Sequence, residues 1–293
     1  MPERLNRSTP PRELDLYTQL VILFGGIYAI FGWIFFGFGM IFFWAFAMNS
    51  TIVTWFSFGG GEWNNGIGEV QAIHETSFSE NETDVYKIRY TFKVGELDYY
   101  GTSYATGTNL KVGESVNVEF RENNPKRSRI QGLRSKPFGG WIFFLIILFP
   151  LVGIWCIYYS LNQNLKSINL LKNGRFSLGT MVSKVDTYGS VTINEENFPI
   201  YKYEFEFDAY GRKHIAKCRT HLAHLVEDDD KEVILYDPYD PNYAIVFDAV
   251  ENAPELDGFG NLSPASPKKA WVLIAPIVTI IGHGLTAFVW FFT

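Results

Sequence analysis

Four side chains that could bind a metal ion lie close together in the C-terminal half of the chain. They are His214, Cys218, His221 and His224. Thiolates and imidazoles are good zinc ligands, and a structural zinc site needs four ligands in a tetrahedron. The spacing fits a strand poorly, because His214 and Cys218 would share one face and His221 would not. A strand that carries the first two, followed by a loop with the other two, explains the pattern without a metal, so the four are candidate ligands only.

The other polar clusters offer little catalytic chemistry. The acidic run at 227–230 lacks the alternating carboxylates and the glycine of a calcium loop and is typical of a solvated hairpin turn. Glu204 and Glu206 share a strand face opposite Tyr203 and Phe205, which favours the solvent side. The chain has no GxSxG, P-loop, HExxH or dinucleotide fingerprint. The sequence therefore predicts no catalytic residue, no cofactor and a protein that is not an enzyme.

Three long stretches without a charged residue separate the polar parts of the chain. They cover residues 16–61, 137–165 and 270–293. About 20 apolar residues already span a bilayer, so a soluble globule cannot easily bury three such stretches. Two cysteines are too few for a disulfide scaffold, and 17% aromatic residues exclude a disordered chain. The sequence predicts an integral, multi-pass membrane protein.

The simplest assignment places one transmembrane helix in each uncharged stretch, at 17–47, 139–161 and 270–293. His283 is the ionisable residue at membrane depth, where it would hydrogen-bond a neighbouring span. A transport pathway would need more such residues, so a transporter or channel is disfavoured.

Flanking Lys and Arg residues set the expected orientation. Three arginines precede the first span, and Lys268 and Lys269 precede the third, which has none after it. Both features indicate a cytoplasmic N-terminus, an external first polar section and a cytoplasmic second one. Arg134 and Lys136 disagree, because they would lie outside.

An alternative folds residues 17–58 into a hairpin that turns near 36–39. It moves Arg134 and Lys136 to the cytoplasm but places Lys268 and Lys269 outside. The three-span arrangement is preferred.

The two polar sections repeat one pattern of alternating residues. The matching segments are a run led by glycine (68–73 and 179–185), an aromatic run (86–92 and 201–207) and a final strand with a proline turn (116–125 and 232–241). The offset stays at 115–116 residues from the aromatic run to the proline turn, which indicates an internal repeat. Period-2 alternation of β-branched and aromatic residues with polar ones predicts strands with one buried face.

The predicted fold class is a membrane α + β protein. Three transmembrane helices alternate with two small antiparallel β-sheet or barrel-like domains. The predicted segments are an N-terminal tail (1–16), the first span (17–47), β domain 1 (59–135), the second span (139–161), a juxtamembrane helix (165–173), β domain 2 (175–250), a linker (251–269) and the third span (270–293).

These segments resemble the bacterial membrane protein family of unknown function 3592, in two tandem copies of its β-rich domain. The resemblance is carried by VGESVNVEFRENNPKRSRI in the first copy, and by LLKNGRFSLGTMVSKV and EVILYDPYDPNYAIV in the second. The second copy has the family's Tyr-Asp-Pro-x-Asp-Pro ending, whereas the first has Phe120-Arg121-Glu122 at that place. The resemblance implies a location in the bacterial inner (cell) membrane and implies no reaction, because the family has no settled activity.

The charge balance limits the partners. The first polar section (62–136) has ten basic and eleven acidic residues, and the second (166–269) has twelve and seventeen. Neither has the basic surplus of a nucleic-acid-binding domain, so the expected partners are membrane lipid and a protein partner or a second copy of the chain.

Three functions remain open from the sequence alone. The first is a non-catalytic, partner-binding accessory or scaffold protein that uses its two β domains. The second is a membrane-perturbing effector or its protective counterpart, whose glycine-rich first span would permit close helix packing. The third is a metal-dependent membrane enzyme built on the second domain.

Overall fold

The computed structural model describes residues 9–53, 63–193, 195–256 and 261–292. Parts of the predicted tail (1–8), the alternative hairpin (54–58), the first β domain (59–62), the second β domain (194), the linker (257–260) and the third span (Thr293) lie outside the described residues. The chain divides into two compact units, which we call the first unit (Phe35–Val152) and the second unit (Met1–Ile34 with Gly153–Thr293).

The described helices are α1 (Leu16–Phe24), α2 (Ile27–Ala45), α3 (Trp141–Asn173), α4 (Ala223–Val226) and α5 (Ile274–Phe292). The strands of the first unit are β1 (Trp63–Glu80), β2 (Thr83–Val94), β3 (Leu97–Thr106), β4 (Ser115–Arg121) and β5 (Asn124–Ile130). Those of the second unit are β6 (Arg175–Ile193), β7 (Glu196–Ala209), β8 (Arg212–Thr220), β9 (Glu232–Tyr236) and β10 (Ala244–Val246).

Each unit contains one five-stranded antiparallel sheet, and the two sheets have the same strand order. The order is β3-β2-β1-β4-β5 in the first unit and β8-β7-β6-β9-β10 in the second. The register also repeats: Gly68 pairs with Phe92 and Val116, and Gly179 pairs with Phe207 and Glu232. The prediction of two small antiparallel sheets is confirmed.

In each sheet, a glycine of the central strand pairs with a residue on both neighbouring strands. A Cβ atom on Gly68 would lie 2.7 Å from Val118 Cγ2, and one on Gly179 would lie 2.8 Å from Ile234 Cγ1. Both distances are shorter than real Cβ contacts, so a side chain at either position would force the neighbouring residues to shift.

The inward faces of the strands form the two cores. In the first unit Ile88, Tyr90 and Phe92 pack against Val118 and Phe120. The sheet curls, because the segment after β5 also pairs with the edge strand β3, where Tyr104 N donates to Arg134 O at 2.6 Å.

The second core uses the matching positions. Tyr203, Phe205 and Phe207 of β7 are almost fully buried against Ile234 and Tyr236 of β9. On the opposite face of β7 two glutamates form ion pairs with lysines of β8. The period-2 alternation therefore separates core from solvent on this strand, as the sequence pattern indicates.

Three helical segments are long and apolar enough to cross a membrane, which fits a multi-pass membrane protein. They are Ile27–Asn49, Trp141–Asn173 and Pro267–Phe292. Within the second unit, a Cβ atom on Gly32 of α2 would lie 2.9 Å from Ile157 Cγ1 of α3, so glycine permits close helix packing there.

The first predicted span differs from the structure at its start. Residues 17–47 form two helices, because α1 ends at Phe24 and the chain passes through Gly25 and Gly26 before α2 begins. Gly26 has φ +89°, a conformation that L side chains rarely adopt. Residues 36–39 lie inside the uninterrupted helix α2, so the hairpin turn considered for them is not found in the structure.

The predicted juxtamembrane helix is not a separate element. Residues 139–161 and 165–173 were expected as two helices, but α3 is one helix of 33 residues. At 1.5 Å per residue it is about 50 Å long, whereas a bilayer core is about 30 Å thick. Its last turns stay helical because Leu171 packs with Ile22 of α1 and Leu235 of β9, and because no glycine or proline interrupts them.

Arg12 closes the C-terminal end of α3. Its backbone N–H donates to Lys172 O at 2.8 Å, and its Nη1 donates to Leu171 O at 3.0 Å and to Gly174 O at 2.8 Å. The guanidinium also lies 4.0 Å from the ring centroid of Phe176. Only 7% of Arg12 is exposed, and this burial lowers its pKa to about 10. A cation at this helix end satisfies free carbonyls and complements the helix dipole.

We expect Arg12→Leu to lower the free energy of unfolding by about 2 kcal/mol, because two carbonyls lose a charged donor. Arg12→Lys should cost less, since it keeps the charge without the fork of donors. The measurement is thermal unfolding of the purified protein in detergent.

The matched control is Arg212→Leu, which removes the same side chain from an exposed position of β8. Equal effects of the two leucine variants would contradict a capping role for Arg12.

Candidate functional site

The second unit has a small polar cavity where the start of α2, the middle of α3 and strand β8 meet. Its volume is about 230 Å³. Its lining includes the polar side chains Asn164, Lys217, Cys218, Arg219 and Glu251. Two aromatic rings, Tyr28 and Tyr159, also line it and contact each other edge to face at 5.6 Å.

Two of these polar groups are used by the helix junction itself. Glu251 Oε2 accepts the Ile27 N–H at 2.8 Å, which caps the N-terminus of α2. Asn164 Nδ2 donates to Leu23 O at 3.0 Å and so satisfies a carbonyl at the end of α1. Burial raises the pKa of Glu251, while the Ile27 N–H and the nearby His221 oppose this rise. The break between α1 and α2 is therefore held by side chains of α3 and of the segment after β10.

A pair of carboxyl groups lies at the base of the second sheet. Glu232 of β9 is only 2% exposed, and its Oε1 has no hydrogen-bond partner among the described residues. Burial is the largest cause of a rise in the pKa of Glu232 to about 8, and a hydrogen bond with Asp248 and the charges of Asp228 and Asp229 contribute to that rise. Burial also raises the pKa of Asp248. At neutral pH such a pair holds a proton.

The acidic run at 227–230 does two separate things in the fold. Glu227 Oε1 accepts the Tyr203 hydroxyl and pairs with Lys184 Nζ, both at 2.5 Å. The negative charges of Asp228 and Asp229 instead help to raise the pKa of the buried Glu232. The run thus contributes one ion pair on the sheet surface and part of the negative field at Glu232.

The four candidate metal ligands are spread over three structural contexts. His214 and Cys218 lie on β8, His221 follows the strand, and His224 lies in the one-turn helix α4. His214 Nδ1 lies 3.2 Å from Asn242 Oδ1. Burial and the charge of Glu232 raise the pKa of Cys218 to about 12, which disfavours the thiolate that a metal needs. Among the described residues, no three His, Cys, Asp or Glu side chains are grouped to hold a metal ion.

His283, the residue expected at membrane depth, lies in the middle of α5 and is half-buried. Its two neighbours, Gly282 and Gly284, face open space within this chain.

Sequence reasoning missed Glu232 as a special residue, although the repeat contains the signal. With the offset of 116 residues, Glu232 takes the place of Val116, and both pair with the central glycine of their sheet. Val116 belongs to the core of the first unit. A carboxyl group at an inward position of one copy could therefore have been found by comparing the two copies.

Comparison with protein-family models gave no match, and comparison with curated proteins gave none either.

We expect the stability of the second unit to fall as the pH rises. An acid whose pKa is raised on folding adds stability that is fully present below its ordinary pKa and is lost as the pH rises through the folded value. For Glu232 this window extends from about pH 4.5 to about pH 8. Glu232→Gln and Glu232→Val should flatten the pH dependence and raise the Tm at pH 8 by at least about 2 °C.

Glu206→Gln is the matched control, since Glu206 is an ion-paired glutamate on the solvent face of β7. The expected result is a Tm profile for Glu206→Gln that keeps the slope of the parent protein. If both glutamine variants keep that slope, Glu232 is not the titrating group.

Proposed function

We propose that this chain is a multi-pass protein of a bacterial inner membrane that works by binding a protein partner, not by catalysis. Its three apolar helices would cross the membrane and alternate along the chain with the two β units, in keeping with the resemblance to family 3592. The proposal is supported by the hydrogen bonds that polar side chains near the helix ends make to backbone groups. Glu251, Asn164 and Arg12 are engaged in closing helix ends.

The two β units would supply the binding surfaces. Both sheets have a long hairpin, β1–β2 and β6–β7, with two register shifts at matching positions. The outer shift is held by a threonine hydroxyl in each copy: Thr76 Oγ1 donates to Val85 O at 2.7 Å and Thr187 Oγ1 to Ile200 O at 2.6 Å. The two copies therefore share one backbone frame, and this frame can present different side chains in each copy.

The second hairpin presents an exposed aromatic residue. Tyr188 is 97% exposed and has φ 55°, whereas the matching residue of the first copy is Ser77. Val182 and Val185 on the same strand are 54% and 53% exposed. An exposed tyrosine on the same strand as exposed apolar side chains is typical of an interface. We assign the partner-binding surface to this hairpin.

A photo-reactive benzoylphenylalanine in place of Tyr188 should form one discrete crosslinked product in intact membranes. The matched control is the same substitution at Tyr239, which is also 97% exposed but lies between Asp237 and Asp240 in a polar loop. The readout is a gel-shifted band whose partner is identified by mass spectrometry.

A product of twice the mass of the chain would identify a second copy as the partner. Absence of any product at position 188, or equal products at 188 and 239, would argue against this hairpin as the binding surface.

The orientation is proposed from the flanking charges. The N-terminus and the second β unit would lie in the cytoplasm, and the first β unit would lie outside. Two exposed turns are suitable for reporters, since Gly113 and Gly211 both have positive φ and open space around them.

Alkaline phosphatase inserted after Gly113 should be active, and green fluorescent protein inserted after Gly211 should fluoresce, with the reverse pairs silent. This result is expected because the three-span arrangement places the two turns on opposite sides. Activity of one reporter type at both turns would replace the three-span arrangement with one in which both units share a compartment.

A further inference from the structure

The first unit contains an open groove with several basic side chains. It is lined by residues of β1, β2, β3 and β5 and of the segment that leads to α3. Its volume is about 770 Å³. Four of its lining residues are cations: Arg89, Lys126, Arg127 and Lys136. No carboxylate is among the described residues that line it.

This concentration of charge is local. The first polar section as a whole has eleven acidic residues against ten basic ones. Carboxylates of the unit pair with cations elsewhere: Glu80 with Arg134 at 2.8 Å and Glu119 with Arg129 at 2.7 Å. Within the described part of the chain, neither Arg89 nor Lys126 lies within salt-bridge distance of a carboxylate, and both are exposed. Arg89 and Lys126 therefore give the groove positive charge that no described carboxylate neutralises by an ion pair.

The neutral residues of the groove add hydrogen-bonding groups at its floor. Gln71, Thr102 and Ser135 line it beside the cations. Tyr90 and Ser128 are buried beneath, and the Tyr90 hydroxyl donates to Ser128 Oγ at 2.9 Å. Burial raises the pKa of Tyr90, so this phenol stays a neutral donor.

Backbone geometry keeps the floor of the groove open. Gly101 pairs with Tyr90 across β2 and β3, and a Cβ atom at Gly101 would overlap the tyrosine ring. Any other residue at position 101 would push the ring away from Ser128.

We propose that this groove binds a phosphate-bearing anion. Guanidinium and ammonium groups with adjacent hydroxyl and amide donors are the groups that recognise phosphate. The phosphate could be that of an anionic phospholipid, because Lys136 precedes the first residue of α3, Trp141, by five positions. Five residues reach at most about 18 Å, so a headgroup at the membrane surface is within range. This lipid source rests on the proposed membrane insertion of α3, whereas a soluble phosphate ester does not.

The test uses the full chain in a neutral detergent and measures the Tm from tryptophan fluorescence. Short-chain phosphatidylglycerol and glycerol 3-phosphate are titrated separately, and short-chain phosphatidylcholine is the zwitterionic control. We expect a saturable rise in Tm with an anion and none with phosphatidylcholine. A response to the lipid alone identifies a headgroup site, and a response to both anions identifies a site for the phosphate group itself.

The variant Arg89→Gln/Lys126→Gln should bind the anion roughly tenfold or more weakly, since each basic group near the site contributes to the attraction. The matched control, Lys93→Gln/Lys111→Gln, removes two positive charges from exposed positions of the same unit outside the groove. It should respond as the parent chain does.

Equal responses of the two double variants, or no rise in the parent chain with either anion, would overturn the proposal. Should the groove variant fold poorly, the parent chain alone still decides the matter, because a groove site must weaken as the salt concentration rises. A salt-independent shift would also overturn it. Loss of partner crosslinking at position 188 would leave these readouts unchanged, so the two proposals fail separately.

Discussion

The unbroken course of α3 is the constraint on which the second unit depends. The last carbonyls of a helix have no partner within the helix and are satisfied by water or by capping groups. Here the last turns are buried between α1 and the second sheet, so the free carbonyls need protein donors. Arg12 supplies them from a position far away in the sequence. The N-terminal segment is thereby fastened to the end of α3, and α1 is held against the sheet instead of continuing into α2.

The same requirement explains the polar cavity beside the start of α2. The break at Gly25 and Gly26 leaves carbonyls at the end of α1 and an N–H at the start of α2 without helical partners. Asn164 and Glu251 satisfy these groups. The hydrogen bonds of these two polar side chains therefore account for the open helix ends at the break.

The two sheets show how a duplicated frame can diverge chemically. Strand order, register and the central glycine are retained, while single inward or outward positions differ. Where the first copy has Val116 in its core, the second has the carboxyl group of Glu232, whose pKa is raised by burial. Where the second copy has an ion-paired surface on β7 and β8, the first has an open basic groove. The copies therefore share a fold and differ in the groups that they offer to other molecules.

The sequence by itself determined the features that depend on short-range periodicity. Uncharged stretches predicted apolar helices, and alternation with a constant offset predicted two similar antiparallel sheets, because burial of one strand face and insertion into lipid are both visible in local composition. Tertiary structure alone decided the features that depend on distant partners. The continuation of α3 to Asn173, the burial of Arg12 and the break at Gly26 each follow from contacts between segments more than 100 residues apart. The basic groove also depends on tertiary structure, since Arg89 of β2 and Lys126 of β5 lie on strands that two others separate in the sheet order. Local patterns cannot encode these contacts, because the free energy of a buried cap or an unneutralised charge is set by whatever packs against it.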